Sequence, residues 1–134
     1  MGQTKPLSLA LCKYKKSKEA IEAFKLFHDK HPEAAILFHT QQVTNSGFPI
    51  QQFGQQLGIN QRMFFVDPYI ATYKSDSYQI ALEMNALDCL LHPSQTEGFG
   101  LTVIEAMSCG KSAIVNNSTS MPEMIIPGVT GEIC

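Results

Sequence analysis

The stretch that decides the fold is His92-Pro-Ser-Gln-Thr-Glu-Gly-Phe-Gly-Leu-Thr-Val-Ile-Glu-Ala-Met-Ser-Cys-Gly110. It begins at the end of a short apolar run, Asp88–His92 (DCLLH), which predicts a strand. Pro93–Gly98 predicts a loop, and Phe99–Cys109 predicts a helix capped by Gly110. In a unit of this kind the unpaired amide N–H groups and the positive end of the helix face the carboxyl end of the strand. That is an anion site in outline. Gly98 and Gly100 suit it, because a phosphate reaches the backbone where no side chain intervenes.

Outward from this unit the chain repeats the same alternation. Leu7–Cys12, Ala35–His39, Arg62–Val66 and Ser112–Asn116 predict further strands, and Thr130–Ile133 is a candidate sixth. Ser17–Lys30 predicts a helix with Ala20, Ile21, Phe24 and Phe27 on one face, and Pro32 ends it. Pro49–Leu57 predicts a weaker helix that stops at Gly58. Ser77–Ala86 predicts a third, with Ile80, Ala81, Met84 and Leu87 on one face. Gln41–Gly47 reads as a polar loop, Asp67-Pro68 as a turn, and Pro122–Ile126 as a short helical turn. Strands that are apolar on both faces and alternate with helices make an α/β fold, a doubly wound parallel sheet with helices on both faces, Rossmann-like. Ligands of such sheets bind at the carboxyl ends of the strands, so Lys13–Lys18, Asp67–Ile70, Ser94–Gly100 and Asn117–Ser120 are expected on one rim.

Composition narrows the function. A chain of 134 residues with 44% hydrophobic content has room for one domain with a real core. Ten basic residues against twelve acidic ones give a formal net charge of -2, which argues against broad electrostatic binding to nucleic acid. The apolar runs fall far short of the ~20 residues a membrane-spanning helix needs. Lys13, Lys15 and Lys16 stand where a signal peptide would carry small neutral residues, so the N-terminus reads as mature protein. Cys12, Cys89, Cys109 and Cys134 follow no metal-ligand spacing and read as buried free thiols of a reducing, cytoplasmic compartment. No Asp-x-Asp pair is present to hold a metal against a diphosphate. Five of the ten basic residues lie within the first 18 positions, a cluster that suits a diphosphate leaving group in place of a metal ion.

Glu97 and Glu105 stand eight residues apart on either side of the proposed anion site. A carboxylate beside a phosphate is repulsive unless it accepts hydrogen bonds from neutral hydroxyls, of which sugars have many. The pair therefore suggests a sugar on one side of the phosphate and a ribose on the other. A purely structural reading remains open, in which Glu97 favours the helix N-terminus by ~0.3–1 kcal/mol and Glu105 points to solvent. Spacing assigns Val103, Ile104, Ala106 and Met107 to the buried face of this helix. Gly110-Lys111-Ser112 is a helix cap leading into a strand and not a Walker A loop, since that pattern requires glycine where Glu105 stands.

The run Pro93-Ser-x-x-Glu97-Gly-Phe-Gly-Leu101-x-x-x-Glu105-Ala-Met-x-x-Gly110 resembles the signature of retaining, nucleotide-sugar-dependent glycosyltransferases of the GT-B fold, family 4 or group 1. The match is to their C-terminal, donor-binding domain. Asp88, Ala113–Val115, Pro122-Glu123, Gly128 and Gly131 extend it, so it covers essentially the whole chain from Leu7 onward. The resemblance implies that Glu97 contacts hydroxyls of the donor sugar and is the catalytic residue. It implies that Gly98, Phe99, Gly100 and Leu101 present backbone amides to sugar and diphosphate, and that Glu105 holds the ribose hydroxyls. The family's Arg after the first strand corresponds best to Lys13, and its following Lys to Lys15, Lys16 or Lys18. The family's Gly after the third strand is replaced by Asp67-Pro68.

The resemblance further implies a donor domain spanning residues 1–134 that takes a UDP-, GDP- or ADP-sugar, with no metal and no other cofactor. An acceptor-binding domain is expected before it and further helices after Cys134. The full-length protein is expected to be a cytoplasmic transferase with peripheral membrane association, and this portion alone to be inactive. The alternative is a non-catalytic module that holds a nucleotide or a phosphorylated ligand on the same rim.

Overall fold

A computed structural model of the chain describes residues 8–11, 16–39, 47–96 and 98–134. Six strands form one parallel sheet: β1 (Ser8–Leu11), β2 (Ala35–Phe38), β3 (Met63–Phe65), β4 (Cys89–His92), β5 (Ser112–Val115) and β6 (Gly131–Ile133). Their order across the sheet is β3-β2-β1-β4-β5-β6. The chain lays down β1, β2 and β3 in one direction and then returns to place β4 on the free side of β1. A reversal of this kind opens a crevice beyond the carboxyl ends of β1 and β4.

The strands are apolar on both faces because both faces are covered. Ile36 and Phe38 of β2, with Cys89 and Leu91 of β4, pack in one cluster with Ala20, Ile21 and Phe24 of helix α1 (Ser17–Lys30) and Ile50 of α2 (Ile50–Gln56). The alternate residues Leu37 and Leu90 belong to a second cluster, with Ala113 and Val115 of β5. That cluster also holds Met84 of α4 (Ser77–Ala86), Val103 and Ala106 of α5 (Leu101–Ser108), and Met121 of α6 (Met121–Met124). Side chains two apart on a strand share a face, so the two clusters are the two sides of the sheet. The doubly wound expectation holds.

One helix differs from the sequence reading. Asp67-Pro68 does not make a simple turn, because it starts α3 (Pro68–Tyr73). The Asp67 carboxylate accepts hydrogen bonds from the Tyr69 and Ile70 amides at 2.9 and 3.2 Å, and Pro68 takes the first helical position. Both are helix-start residues as readily as turn residues. The cysteines differ as well. Cys134 is exposed, and Cys89 and Cys109 are half-buried rather than fully buried. Burial pushes the Cys89 thiol up, and a hydrogen bond with Ser112 offsets this in part, so at neutral pH it stays a protonated, unreactive thiol. Cys12 and most of the Gln41–Gly47 loop lie outside the described residues. Among the described residues no helix is long and apolar enough to cross a membrane.

Candidate functional site

Of the predicted site residues that are described, Gly98, Phe99, Gly100 and Leu101 follow β4 at the carboxyl edge of the sheet, beside the β1/β4 crevice. β4 ends at His92, which is 1% exposed, and the chain leaves it through Pro93 and the buried Ser94. It then reaches Gly98, Phe99 and Gly100 at the start of α5. Gly98 is exposed, Phe99 is 59% exposed and Leu101 66%, so this loop and the head of α5 open on the surface at the carboxyl edge. α5 begins two residues later than the periodicity suggested.

The two glycines have different jobs. Among the described residues, a Cβ at Gly98 would meet nothing within 4 Å, which leaves the backbone accessible to a ligand. Gly100 is buried and takes φ 83°, the left-handed region, as the N-cap of α5. A Cβ on Gly100 would run into Met121 Cε and lie 3.3 Å from Met124 Sδ. Glycine is required here by packing and backbone geometry, and not by ligand access. The Gly100 carbonyl accepts from the Val103 and Ile104 amides at 3.0 and 3.3 Å, so the helix starts with no side-chain cap.

Glu105 is half-buried, in the second turn of α5. Val103 and Ala106 carry the packed face of that helix, whereas Ile104 is 37% exposed and does not belong to it. The helix ends as expected. Gly110, at φ 72°, donates to Met107 O at 2.9 Å, and Lys111 donates to Ala106 O at 2.9 Å, the pair of bonds that closes a Schellman motif.

Lys13, Lys15 and Glu97 lie outside the described residues. Lys16 is described, as the N-cap of α1 at φ 70°. Its ammonium is 3.3 Å from Glu19 Oε1. A hydrogen bond from its own backbone N–H, and then Lys16, hold the Glu19 carboxyl below the usual carboxylate range. Among the described residues no three His, Cys, Asp or Glu side chains are grouped to hold a metal ion.

The loop after β5 adds residues that the sequence reading did not single out. Asn116 Nδ2 donates to Pro93 O at 2.5 Å and to Ser94 O at 3.1 Å, which joins this loop to the one after β4. Thr119 takes φ 51°, a left-handed conformation that β-branched residues rarely adopt. At the end of β2, His39 Nδ1 is 2.5 Å from Glu83 Oε2 of α4, and Ser75 Oγ is 3.4 Å from His39 Nε2. A polar residue directly after an apolar strand was the available signal in both places.

Known proteins share both sequence and fold with this chain. The family model for glycosyl transferases group 1 matches residues 8–134. A D-inositol 3-phosphate glycosyltransferase from Mycobacterium ulcerans is 30% identical over 84 residues, which are 63% of this chain and 17% of that protein. An N-acetyl-alpha-D-glucosaminyl L-malate synthase from Bacillus anthracis is 36% identical over 85 residues, 63% of this chain and 20% of the relative. The chain thus matches less than a quarter of the length of these relatives. The C-terminal domain of a glycosyl transferase group 1 family protein, LpcC from Francisella tularensis, superposes with a TM-score of 0.77 at 24% identity, covering 96% of this chain and 67% of that one. Anabaena HepE in complex with UDP and glucose superposes with a TM-score of 0.72 at 20% identity, covering 96% of this chain and 34% of that one. The doubly wound fold is the one these glycosyltransferases use, as the Glu97-to-Glu105 motif implied. With its family model matched from β1 to its last residue, the chain belongs to the glycosyl transferases group 1.

Proposed function

We propose that this chain is the donor-binding part of a retaining glycosyltransferase and that it holds a nucleoside-diphosphate sugar at the carboxyl ends of β1 and β4. The observation that carries the proposal is the Gly98–Leu101 segment, which opens on the surface at the point where the strand order reverses, with Glu105 half-buried on the helix that follows. Backbone amides of Gly98, Phe99, Gly100 and Leu101 take the diphosphate and the near side of the sugar. The Glu97 carboxylate accepts from sugar hydroxyls at the reacting end, and Glu105 accepts from the ribose. Lys13, Lys15 and Lys16 neutralise the diphosphate as it leaves, with no metal ion. For Lys16 this means exchanging its exposed contact with Glu19 for the ligand, a small cost at such exposure.

HepE, of the same fold, is bound to UDP and glucose, which supports a nucleotide sugar as the ligand. The acceptor is held by another part of a longer protein, a cytoplasmic enzyme that associates peripherally with a membrane. Orienting donor and acceptor together is the main catalytic contribution expected, so the 134-residue chain alone is expected to bind donor and not to transfer it.

Titration of wild type and Lys13→Ala with UDP, GDP and ADP and with the matching nucleosides tests this reading. One of the diphosphates should bind the wild type. Lys13→Ala should weaken that diphosphate about tenfold or more and leave the nucleoside nearly unchanged. Equal losses for both would remove Lys13 from the phosphate site, and no binding by any of the three would contradict the proposal itself.

A further inference from the structure

The loops after β4 and β5 are joined by a single side chain. Asn116 follows β5 directly, and its amide nitrogen donates to Pro93 O at 2.5 Å and Ser94 O at 3.1 Å. One NH2 group thereby satisfies two successive carbonyls at the point where the chain turns from β4 into the glycine loop. Asn116 is half-buried and Ser94 buried, so water competes weakly for these bonds.

The segment after Asn116 is energetically unfavourable by itself. Thr119 is left-handed, and the hydroxyl oxygens of Ser118 and Ser120 are buried with no hydrogen-bond partner among the described residues. Such a turn persists when its surroundings over-determine it. At one end it is fixed by Asn116, and at the other by Met121, whose Cε fills the space beside Gly100. Both attachments lead to the same loop, Pro93–Gly100.

We propose that Asn116 is a positioning residue for the donor site. Its amide fixes Pro93 and Ser94, and through them sets where the Gly98–Leu101 amides stand relative to the crevice. The inference rests on the donor-binding reading above, but the loop geometry is measurable without a ligand. Asparagine suits the role because its side chain offers two N–H donors from one atom. An ionised carboxylate in its place would face two carbonyl oxygens with acceptors alone, and a protonated one would regain a single donor. That environment also favours the protonated acid. The loop of an Asn116→Asp variant should therefore be released at neutral pH and restored in acid. The ionisable groups on the neighbouring strands and at their ends are Cys89 and His92 of β4, Glu132 of β6 and Cys134 just after it. All are present in the wild type, which corrects for their own titration.

The experiment measures 15N relaxation of the Gly98 and Gly100 amides and the affinity for UDP-glucose, GDP-mannose and ADP-glucose, at about pH 7.5 and about pH 5. Wild type, Asn116→Asp and Asn116→Ala are compared, and far-UV circular dichroism reports that each is folded. Asn116→Ala should loosen both glycines at both pH values. Asn116→Asp should loosen them at the higher pH and recover most of the rigidity at the lower. Donor affinity should fall about tenfold or more whenever the glycines loosen. Should Asn116→Asp fail to fold, Asn116→Ser, which keeps one donor, is expected to fall between wild type and Asn116→Ala. Unchanged glycine relaxation in the variants overturns the proposal, and so does a loosened loop with full donor affinity. A wild type that binds none of the three donors, with the glycines still loosening on substitution, refutes the donor-binding reading and upholds the clamp.

Discussion

Gly100→Ala is expected to destabilise the chain by about 3 kcal/mol, read by denaturant unfolding. Two costs combine. A residue with a Cβ at φ 83° gives up ~1–2 kcal/mol to left-handed backbone strain. The added methyl also meets Met121 Cε, and forcing an extra carbon into a packed site costs ~1–3 kcal/mol. Methionine side chains can move aside, which keeps the second term at the lower end. Met121 is fully buried in the cluster under α5, so its displacement disturbs Val103 and Ala106 as well. Gly98→Ala is the control. Nothing among the described residues lies within 4 Å of its added carbon, and the substitution should change stability by less than about 0.5 kcal/mol while weakening any diphosphate that approaches that backbone. Equal stability losses at the two glycines would contradict the separation of packing from ligand access.

Glu105→Ala should weaken the bound ribonucleotide by about 30- to 100-fold, which corresponds to the ~2–3 kcal/mol typical of hydrogen bonds to a charged group. The half-buried position of Glu105 on α5 favours a value in this range over the smaller one of a fully solvated carboxylate. Ribose analogues sharpen the test. Removing the 2′- or 3′-hydroxyl should weaken binding to the wild type and hardly at all to the variant, because the partner of that hydroxyl has already gone. If the variant discriminates between ribose and deoxyribose as well as the wild type does, Glu105 does not hold the ribose.

Much of the fold was legible in the residues themselves. α1 runs over Ser17–Lys30 as its spacing predicted, because Ala20, Ile21 and Phe24 form one stripe and Pro32 stops it. The α/β class comes from strands apolar on both faces, and the two clusters on opposite sides of the sheet are the physical reason. Boundaries were less legible. Asp67-Pro68 serves a turn and a helix start equally well, and here the Asp67 carboxylate caps the Tyr69 and Ile70 amides as a helix start. Ile104 is apolar and lies next to the buried Val103, but α5 is short and buries only Val103 and Ala106, which leaves Ile104 exposed.

The site was legible as a motif and illegible as a framework. Gly98, Gly100 and Glu105 could be picked out because carboxylates and glycines around a helix start have chemical meaning. That Gly100 answers to Met121 and Met124, 21 and 24 residues later, could not be read from spacing. The two hydrogen bonds of Asn116 span 22 and 23 residues and depend on β4 and β5 being neighbours. Contacts set by the order of strands appear once that order is known.

Amide chemical-shift mapping with the tightest-binding of UDP, GDP and ADP addresses the central claim most directly. The largest shifts should fall on Gly98, Phe99, Gly100, Leu101 and the first turn of α5, with a second group at Lys13–Lys16 beyond β1. Shifts centred on another edge of the sheet, or none at saturating nucleotide, would contradict the assignment of the β1/β4 crevice as the donor site.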